Sequence, residues 1–314
     1  MTRWMKWFAA LGAAALLAGC SFGDDDEVAP PVPVGNLAEV ARANGFNALL
    51  AAVAKAELGS VLAGSDKLTV FAPTDAAFGA LATRLGLADA NALVAALSKD
   101  QLTKILSYHV VAGEVKKAQV PLATDITTLE TGKFQVRASG ADLLIADELL
   151  RDSRITATDV AASNGVIHVV DSVLLPEGVL NIVQTAQANP VFSKLVAAVV
   201  AADLAGALSG AGPLTVFAPV DTAFDAIASV VPTLSKEQLT TVLTYHVVGA
   251  KVLAADIPFG TPVGTLAGQN ITISAGTPPT IADTTAAAAR IVATDIEASN
   301  GVVHVIDKVL IPTL

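Results

Sequence analysis

Aromatic side chains are scarce in this chain. They supply 4% of its 314 residues, too few for the stacking platforms that hold single-stranded nucleic acids or sugars. Cysteine occurs once, as Cys20, so an intramolecular disulfide is impossible. Charged residues make up 15% and the balance is acidic, with a formal net charge of −10. Phosphate backbones repel such a surface, which excludes nucleic acid as a partner class. The motifs of the large enzyme classes are missing too. There is no G-x-S-x-G, H-E-x-x-H, Walker A or Rossmann fingerprint, so no catalytic residue and no cofactor is expected. The acidic run Asp24-Asp25-Asp26-Glu27 is followed by no further ligand spacing and reads as a solvated tether, not a metal site. Beyond the N-terminus no segment is suited to span a bilayer; residues 195–208 come nearest, but the run is short and carries Asp203.

What the chain has is apolar bulk. Hydrophobic residues reach 53%, much of it alanine, far from a disordered composition. The length is a soft prior for two domains, each large enough for its own core. At the N-terminus, Arg3 and Lys6 precede a short apolar run, Trp7 to Ala18, that ends in Leu17-Ala18-Gly19-Cys20. The run suits a cleaved signal better than a spanning helix.

Residues 1–19 resemble a bacterial lipoprotein signal. The resemblance implies that Cys20 carries diacylglycerol and becomes the mature N-terminus, with a membrane as its partner; several acyl chains together give stable anchoring. Loss of Arg3 and Lys6 would leave 17 basic residues against 29 acidic ones. Residues 20–35, with Pro30-Pro31-Val32-Pro33, read as an acidic, extended tether. Ser21 stands where aspartate resembles an inner-membrane retention signal. The expected location is therefore a bacterial envelope, at the outer membrane or cell surface.

Self-comparison shows an internal repeat. Leu68-Thr69-Val70-Phe71-Ala72-Pro73-Thr74-Asp75-Ala76-Ala77-Phe78 recurs as Leu214-Thr215-Val216-Phe217-Ala218-Pro219-Val220-Asp221-Thr222-Ala223-Phe224. Tyr108-His109-Val110-Val111 recurs as Tyr245-His246-Val247-Val248. The block from Ala157 through Asn164-Gly165 to Asp171 recurs from Ala293 through Asn300-Gly301 to Asp307. The period is that of a domain, far longer than a solenoid unit.

Local signals place these blocks. Asn36 and Asn47 can cap helices, and Gly45 and Gly59 can end them. Leu68 to Ala72 is a short β-prone run stopped by Pro73. Thr74 or Asp75 can cap the helix that follows; Val220 replaces Thr74 in the second copy, leaving Asp221 as the expected cap. Ser98-Lys99-Asp100-Gln101 and Ser235-Lys236-Glu237-Gln238 are capping boxes for helices ending near Tyr108 and Tyr245. Between Phe78 and Ser98 lie 19 residues, but only 10 between Phe224 and Ser235, which marks a tolerant helical connection. Asn-Gly predicts a tight turn before an apolar strand. Helices early and strands late in each copy make an α+β fold.

Three blocks in this order resemble the fasciclin domain: Thr-Val-Phe-Ala-Pro-Thr-Asp-Ala-Ala-Phe, the central Tyr-His, and Asn-Gly-Val-Ile-His-Val-Val-Asp. The resemblance covers residues 36–176 and 178–314. It implies two tandem β-sandwich or wedge domains with helices packed at one side, and a role in extracellular binding or cell adhesion. It further implies candidate binding residues: Asp295-Ile296 and its weaker counterpart Asp159-Val160, and the pairs Tyr108-His109 and Tyr245-His246. The valines flanking each Tyr-His favour a structural role instead. Asp159 and Asp295 are expected nearer the surface, each able to bond the following turn. His168 and His304 alternate with valines and isoleucine, as strand core would.

The leading expectation is a lipid-anchored, non-catalytic binding or adhesion protein that contacts surface protein or polysaccharide. The alternative is a carrier or sensor of a small hydrophobic ligand, marked by an apolar cavity. A hydrolase using His109 or His246 has the least support. Ser107 has Thr244 as its counterpart, so a nucleophile there would be unmatched.

Overall fold

The computed structural model describes residues 35–314. The lipoprotein-type segment, Cys20 and the tether up to residue 34 lie outside them. The first repeat runs α1 (Leu37–Ala43), α2 (Asn47–Lys55), α3 (Gly59–Ala63), β1 (Leu68–Pro73), α4 (Asp75–Arg84), α5 (Ala90–Ala96) and α6 (Lys99–Tyr108). It continues with β2 (Val110–Ala112), β3 (Asp125–Thr127), β4 (Lys133–Ser139), β5 (Asp142–Ala146), β6 (Asp152–Ala162) and β7 (Gly165–Val170). The second repeat follows the same plan with α7 (Ile182–Ala188), α8 (Ser193–Ala201), α9 (Ala205–Leu208), β8 (Leu214–Pro219), α10 (Asp221–Asp225) and α11 (Lys236–Tyr245). Its strands are β9 (Val247–Val248), β10 (Pro262–Gly264), β11 (Asn270–Ser274), β12 (Thr280–Ala282), β13 (Ala289–Ala298) and β14 (Gly301–Ile306).

Helix starts follow the cap chemistry where the cap is local. Asn36, Ser98, Asn181 and Ser235 each close a full capping box, satisfying two orphan amides at a time. Thr74 caps α4 through the Ala77 amide. Three expectations need correction. Asn47 is the first residue of α2 and not its cap. Gly59 opens α3; the reversal after α2 falls at Glu57, which takes φ +58°. Asp221 does not cap its own helix, and α10 has 5 residues where α4 has 10. Instead Asp221 Oδ1 accepts the Lys194 amide at the start of α8, 2.8 Å away. Asp75 does the same for α2 through the Ala48 amide at 2.8 Å. The length difference falls on the shorter α10 and on α5, whose place in the second repeat is taken by a 3-10 turn at Val231–Thr233.

Each repeat carries a seven-stranded sheet, ordered β2-β1-β7-β6-β5-β4-β3 and β10-β11-β12-β13-β14-β8-β9. The motif strands β1 and β7 pair in parallel, as do β14 and β8, while their other neighbours are antiparallel. The strand pair β1–β7 is buried on both faces, the reason these segments read as unbroken apolar runs. Register shifts in β6 and β13 mark bulges at Asp159 and Asp295, which take φ +60° and +61°. Such bulges bend a strand and sharpen its twist. The turn before β7 uses Ser163-Asn164, since Ala162 pairs with Gly165. Gly165 is needed for a different reason: a Cβ there would sit 2.0 Å from Leu68 O, and at Gly301 2.0 Å from Leu214 O.

Two cores form in each repeat. One lies within the bent sheet, around Phe71, Tyr108 and Phe134 in the first repeat and Phe217, Tyr245 and Ile273 in the second. The other joins sheet to helices, and it is continuous from the first repeat into the second. Two hydrogen bonds run from one repeat to the other, Gln101 Nε2 to Val179 O and Asn189 Nδ2 to Leu149 O, and at the junction Gly178 N donates to Glu297 O, each 2.9 Å. Residues 35–314 accordingly belong to one compact unit.

Candidate functional site

The Tyr-His pairs end α6 and α11. Helix periodicity sends adjacent side chains in different directions, and here each finds backbone. Tyr108 is fully buried. Its hydroxyl donates to Lys133 O at 2.6 Å and accepts from the Glu148 amide at 3.2 Å. Burial, reinforced by Glu148 and Asp147, pushes the phenol well above its ordinary range. Tyr245 is buried likewise and donates to Asn270 O at 2.9 Å. His109 Nδ1–H donates to Ile105 O at 2.7 Å, while Nε2 accepts from the Leu174 amide at 2.9 Å. His246 repeats this with Val242 O and the Leu310 amide, both at 2.8 Å. A carbonyl on one side and an amide on the other dictate a neutral ring with the proton on Nδ1. Burial lowers both imidazoles from 6.5 to about 4.

His168 and His304 take the other tautomer. Nε2–H donates to Val115 O at 2.9 Å and Val252 O at 2.8 Å. Nδ1 accepts from the Asp159 amide at 3.3 Å and the Asp295 amide at 3.2 Å. Burial lowers His304 below its ordinary value. All eight ring nitrogens are thus engaged with backbone. Among the described residues no cluster of three His, Cys, Asp or Glu is placed to hold a metal ion. No described helix is long and apolar enough to cross a membrane.

The Asp-Ile and Asp-Val pairs are bulge residues. Asp159 is exposed, and its Oδ1 accepts the Lys117 amide at 2.7 Å; Asp295, partly buried, accepts the Ala254 amide at 2.8 Å. Each carboxylate therefore reaches sideways to a 3-10 turn earlier in the chain, not to the turn that follows it. Ile296 is buried at 2% exposure and Val160 is half-buried; both pack into the helix-facing core. Of the eight proposed binding residues, only the two aspartates offer polar atoms at the surface. The Tyr-His pairs and Ile296 are interior, because each completes backbone bonds or core packing at a bend in the fold.

Asn164 and Asn300 do more than turn the chain. Asn164 Oδ1 accepts the Leu37 amide at 2.8 Å, and Nδ2 donates to Leu62 O at 3.0 Å and Gly64 O at 2.7 Å. Asn300 makes the same three bonds, to the Ile182 amide, Leu208 O and Gly210 O. The first helix of each repeat is thereby stitched to the last hairpin.

The family model of the fasciclin domain matches residues 44–176 and again 190–312. The chain belongs to the fasciclin family. Protein sll1483 of Synechocystis sp. is 43% identical over 143 residues, 44% of this chain and 77% of that protein. Transforming growth factor-beta-induced protein ig-h3 of Sus scrofa is 28% identical over 290 residues, 91% of this chain, though the chain spans only 39% of it. Among solved structures, a domain pair from the insect cell adhesion molecule fasciclin I matches over 88% of this chain and 95% of that one, at 17% identity and a TM-score of 0.43. The similarity to ig-h3 extends through both repeats of this chain, and the repeated motifs are chiefly internal fasteners.

One feature of the first fasciclin repeat lay beyond sequence reasoning. A cavity of about 330 Å³ opens between α2, α3 and α6, lined among others by Leu49, Val53, Val61, Ser107 and Leu129. A cleft of the second repeat, between α7, α8, α11 and β8, overlaps the equivalent region in part and holds about 40 Å³. Leucines and valines dominate both walls, so the sequence does not announce which of them leaves room.

Proposed function

We propose that this chain is a lipid-anchored, non-catalytic binding and adhesion module of a bacterial envelope. The observation that carries the reading is the fusion of two fasciclin domains through one continuous apolar core. Two surfaces on such a unit are presented at a set spacing. A partner that repeats, such as a polysaccharide or a protein array, can then be held by two weak contacts whose avidity exceeds either one. The engagement of the four histidines by backbone atoms supports the non-catalytic part. The tandem domains shared with ig-h3 support the adhesive part. The lipobox-like Leu17-Ala18-Gly19-Cys20 supports the anchor.

The test uses cells carrying the wild-type chain, a deletion, and Cys20→Ser. Wild-type cells should attach to protein- and polysaccharide-coated surfaces more than deletion cells. Cys20→Ser should leave the membrane fraction and lose the attachment. Equal attachment of all three strains would sink the reading.

A further inference from the structure

We propose that the first repeat binds a small, neutral, mostly apolar molecule of about 12 non-hydrogen atoms, carrying one hydroxyl or carbonyl, in the cavity between α2, α3 and α6. Size is the first argument. The cavity holds about 330 Å³, within the range of small-molecule pockets. An apolar cavity of about 150 Å³ stays dry and accepts benzene, so this one has room for roughly twice as many atoms.

Wall chemistry is the second argument. Leu49, Val53, Val61, Leu62 and Leu106 supply an apolar lining. His109 reaches the same space, but both its nitrogens are taken by Ile105 O and the Leu174 amide. It brings neither charge nor a free polar atom. Ser107 lines the cavity as well, and its hydroxyl bonds to no other described residue. Its counterpart Thr244 is used up, donating to Thr240 O at 2.8 Å. The cavity therefore offers one unmatched hydroxyl in apolar surroundings, which selects a ligand with one polar group.

Access is the third. Val61 and Leu129 line the cavity with 38% and 43% of their surfaces exposed, so a ligand need not wait for the core to open. The second repeat offers a cleft of different outline. Leu195, Val199, Leu243 and His246 take the places of Leu49, Val53, Leu106 and His109, but the cleft they line runs under α7, excludes Ala207, Thr244 and Leu266, the counterparts of Val61, Ser107 and Leu129, and holds about 40 Å³, too small for an aromatic ring. The prediction is one site per chain.

The probes are 2-naphthol and naphthalene, titrated into the full chain and followed by fluorescence and calorimetry. Saturable binding of one molecule per chain is expected. Ser107→Ala should weaken 2-naphthol about fivefold, the worth of one hydrogen bond, and leave naphthalene unchanged. Val61→Trp and Ser107→Leu, two independent ways to fill the cavity, should each weaken both probes at least tenfold, with folding checked by thermal melting. Ala207→Trp, the equivalent change in the second repeat, should alter neither. No saturable binding, two molecules per chain, or equal affinity in wild type and whichever filling variant folds would overturn the proposal. The adhesion reading stands or falls separately, since Val61→Trp cells can be scored for attachment.

Discussion

Phe71 and His168 stand opposite each other across the parallel pair β1–β7, their rings 5.3 Å apart. Phe217 and His304 repeat the relationship at 5.5 Å. The two most recognisable motifs of each repeat are therefore neighbours in space, zipped residue by residue from Leu68–Gly165 to Pro73–Val170. Parallel pairing needs a long crossover, and residues 74–164 are that crossover.

The weakest tolerance in this zipper is at its first rung. A Cβ on Gly165 would lie 2.0 Å from Leu68 O, a backbone atom that cannot swing aside. Gly165→Ala should cost more than 3 kcal/mol, through lost ladder bonds and strain. Gly140, at φ +62°, has open space around its Cβ position; Gly140→Ala should cost about 1 kcal/mol, the strain of a left-handed residue alone. Urea denaturation of both variants checks this. Equal losses would show that close approach is not the constraint.

The buried imidazoles set the acid limit. His109 and His246 fall from 6.5 to about 4 because burial disfavours the charged ring. A lowered folded value means that the unfolded chain binds protons more readily between these limits. Stability is then intact above pH 6.5 and is lost as pH falls toward 4, by about 3 kcal/mol per ring. His109→Asn should be less stable at neutral pH but show a shallower acid slope. Ring titration by nuclear magnetic resonance should give values near 4 for His109 and His246, with the proton on Nδ1 in both. Midpoints near 6.5 would refute the burial argument.

Thr185 is buried at 2% exposure, and its hydroxyl bonds to no described residue. The equivalent residue of the first repeat is Val40. A buried hydroxyl without a partner costs about 1–3 kcal/mol, and valine has nearly the same shape. Thr185→Val should stabilise the chain by about 1 kcal/mol in thermal or urea unfolding. A loss of stability would mean that the hydroxyl is satisfied in solution.

What was legible in the sequence was what is local. The capping boxes at Ser98 and Ser235 bond within four residues, so their spacing alone announces them. The repeat and its α+β order were legible for the same reason: each motif keeps one environment in both copies. Asp75 and Asp221 misled because they cap a helix that begins 28 residues earlier, a partnership visible only after folding. Asp295 was expected near the surface, bonding the turn that follows it; the bulge instead spends its carboxylate on the Ala254 amide and turns Ile296 into the core. The cavity had no signature because leucines and valines fill the helix–sheet core of both repeats, and helix placement decides whether space remains.

At the junction of the repeats, acidic groups crowd together. The Glu177 amide donates to Glu148 Oε2 at 3.0 Å, and Gly178 next to it donates to Glu297 O. Glu297 is itself paired with Lys251 at 3.1 Å. Burial first, then the Glu148 charge, with smaller pushes from Glu297 and Asp295, raises the Glu177 carboxyl from 4.5 to about 7; a bond from the Glu297 backbone opposes this. Here the folded chain holds its proton more tightly than the unfolded one. Stability is full below pH 4.5, falls as pH rises, and reaches its lower plateau above pH 7. The sign is opposite to that of the histidines over much of the same range. Because Glu177 is half-buried, solvent screening reduces the effect to about 1–2 kcal/mol. Glu177→Gln keeps the shape and removes the charge. Relative to wild type, this variant should gain stability steadily as pH rises from 5 to 8, most visibly in a His109→Asn background where the acid slope is reduced. Parallel stability curves for the two chains across that range would show that the junction carboxylates do not feel one another.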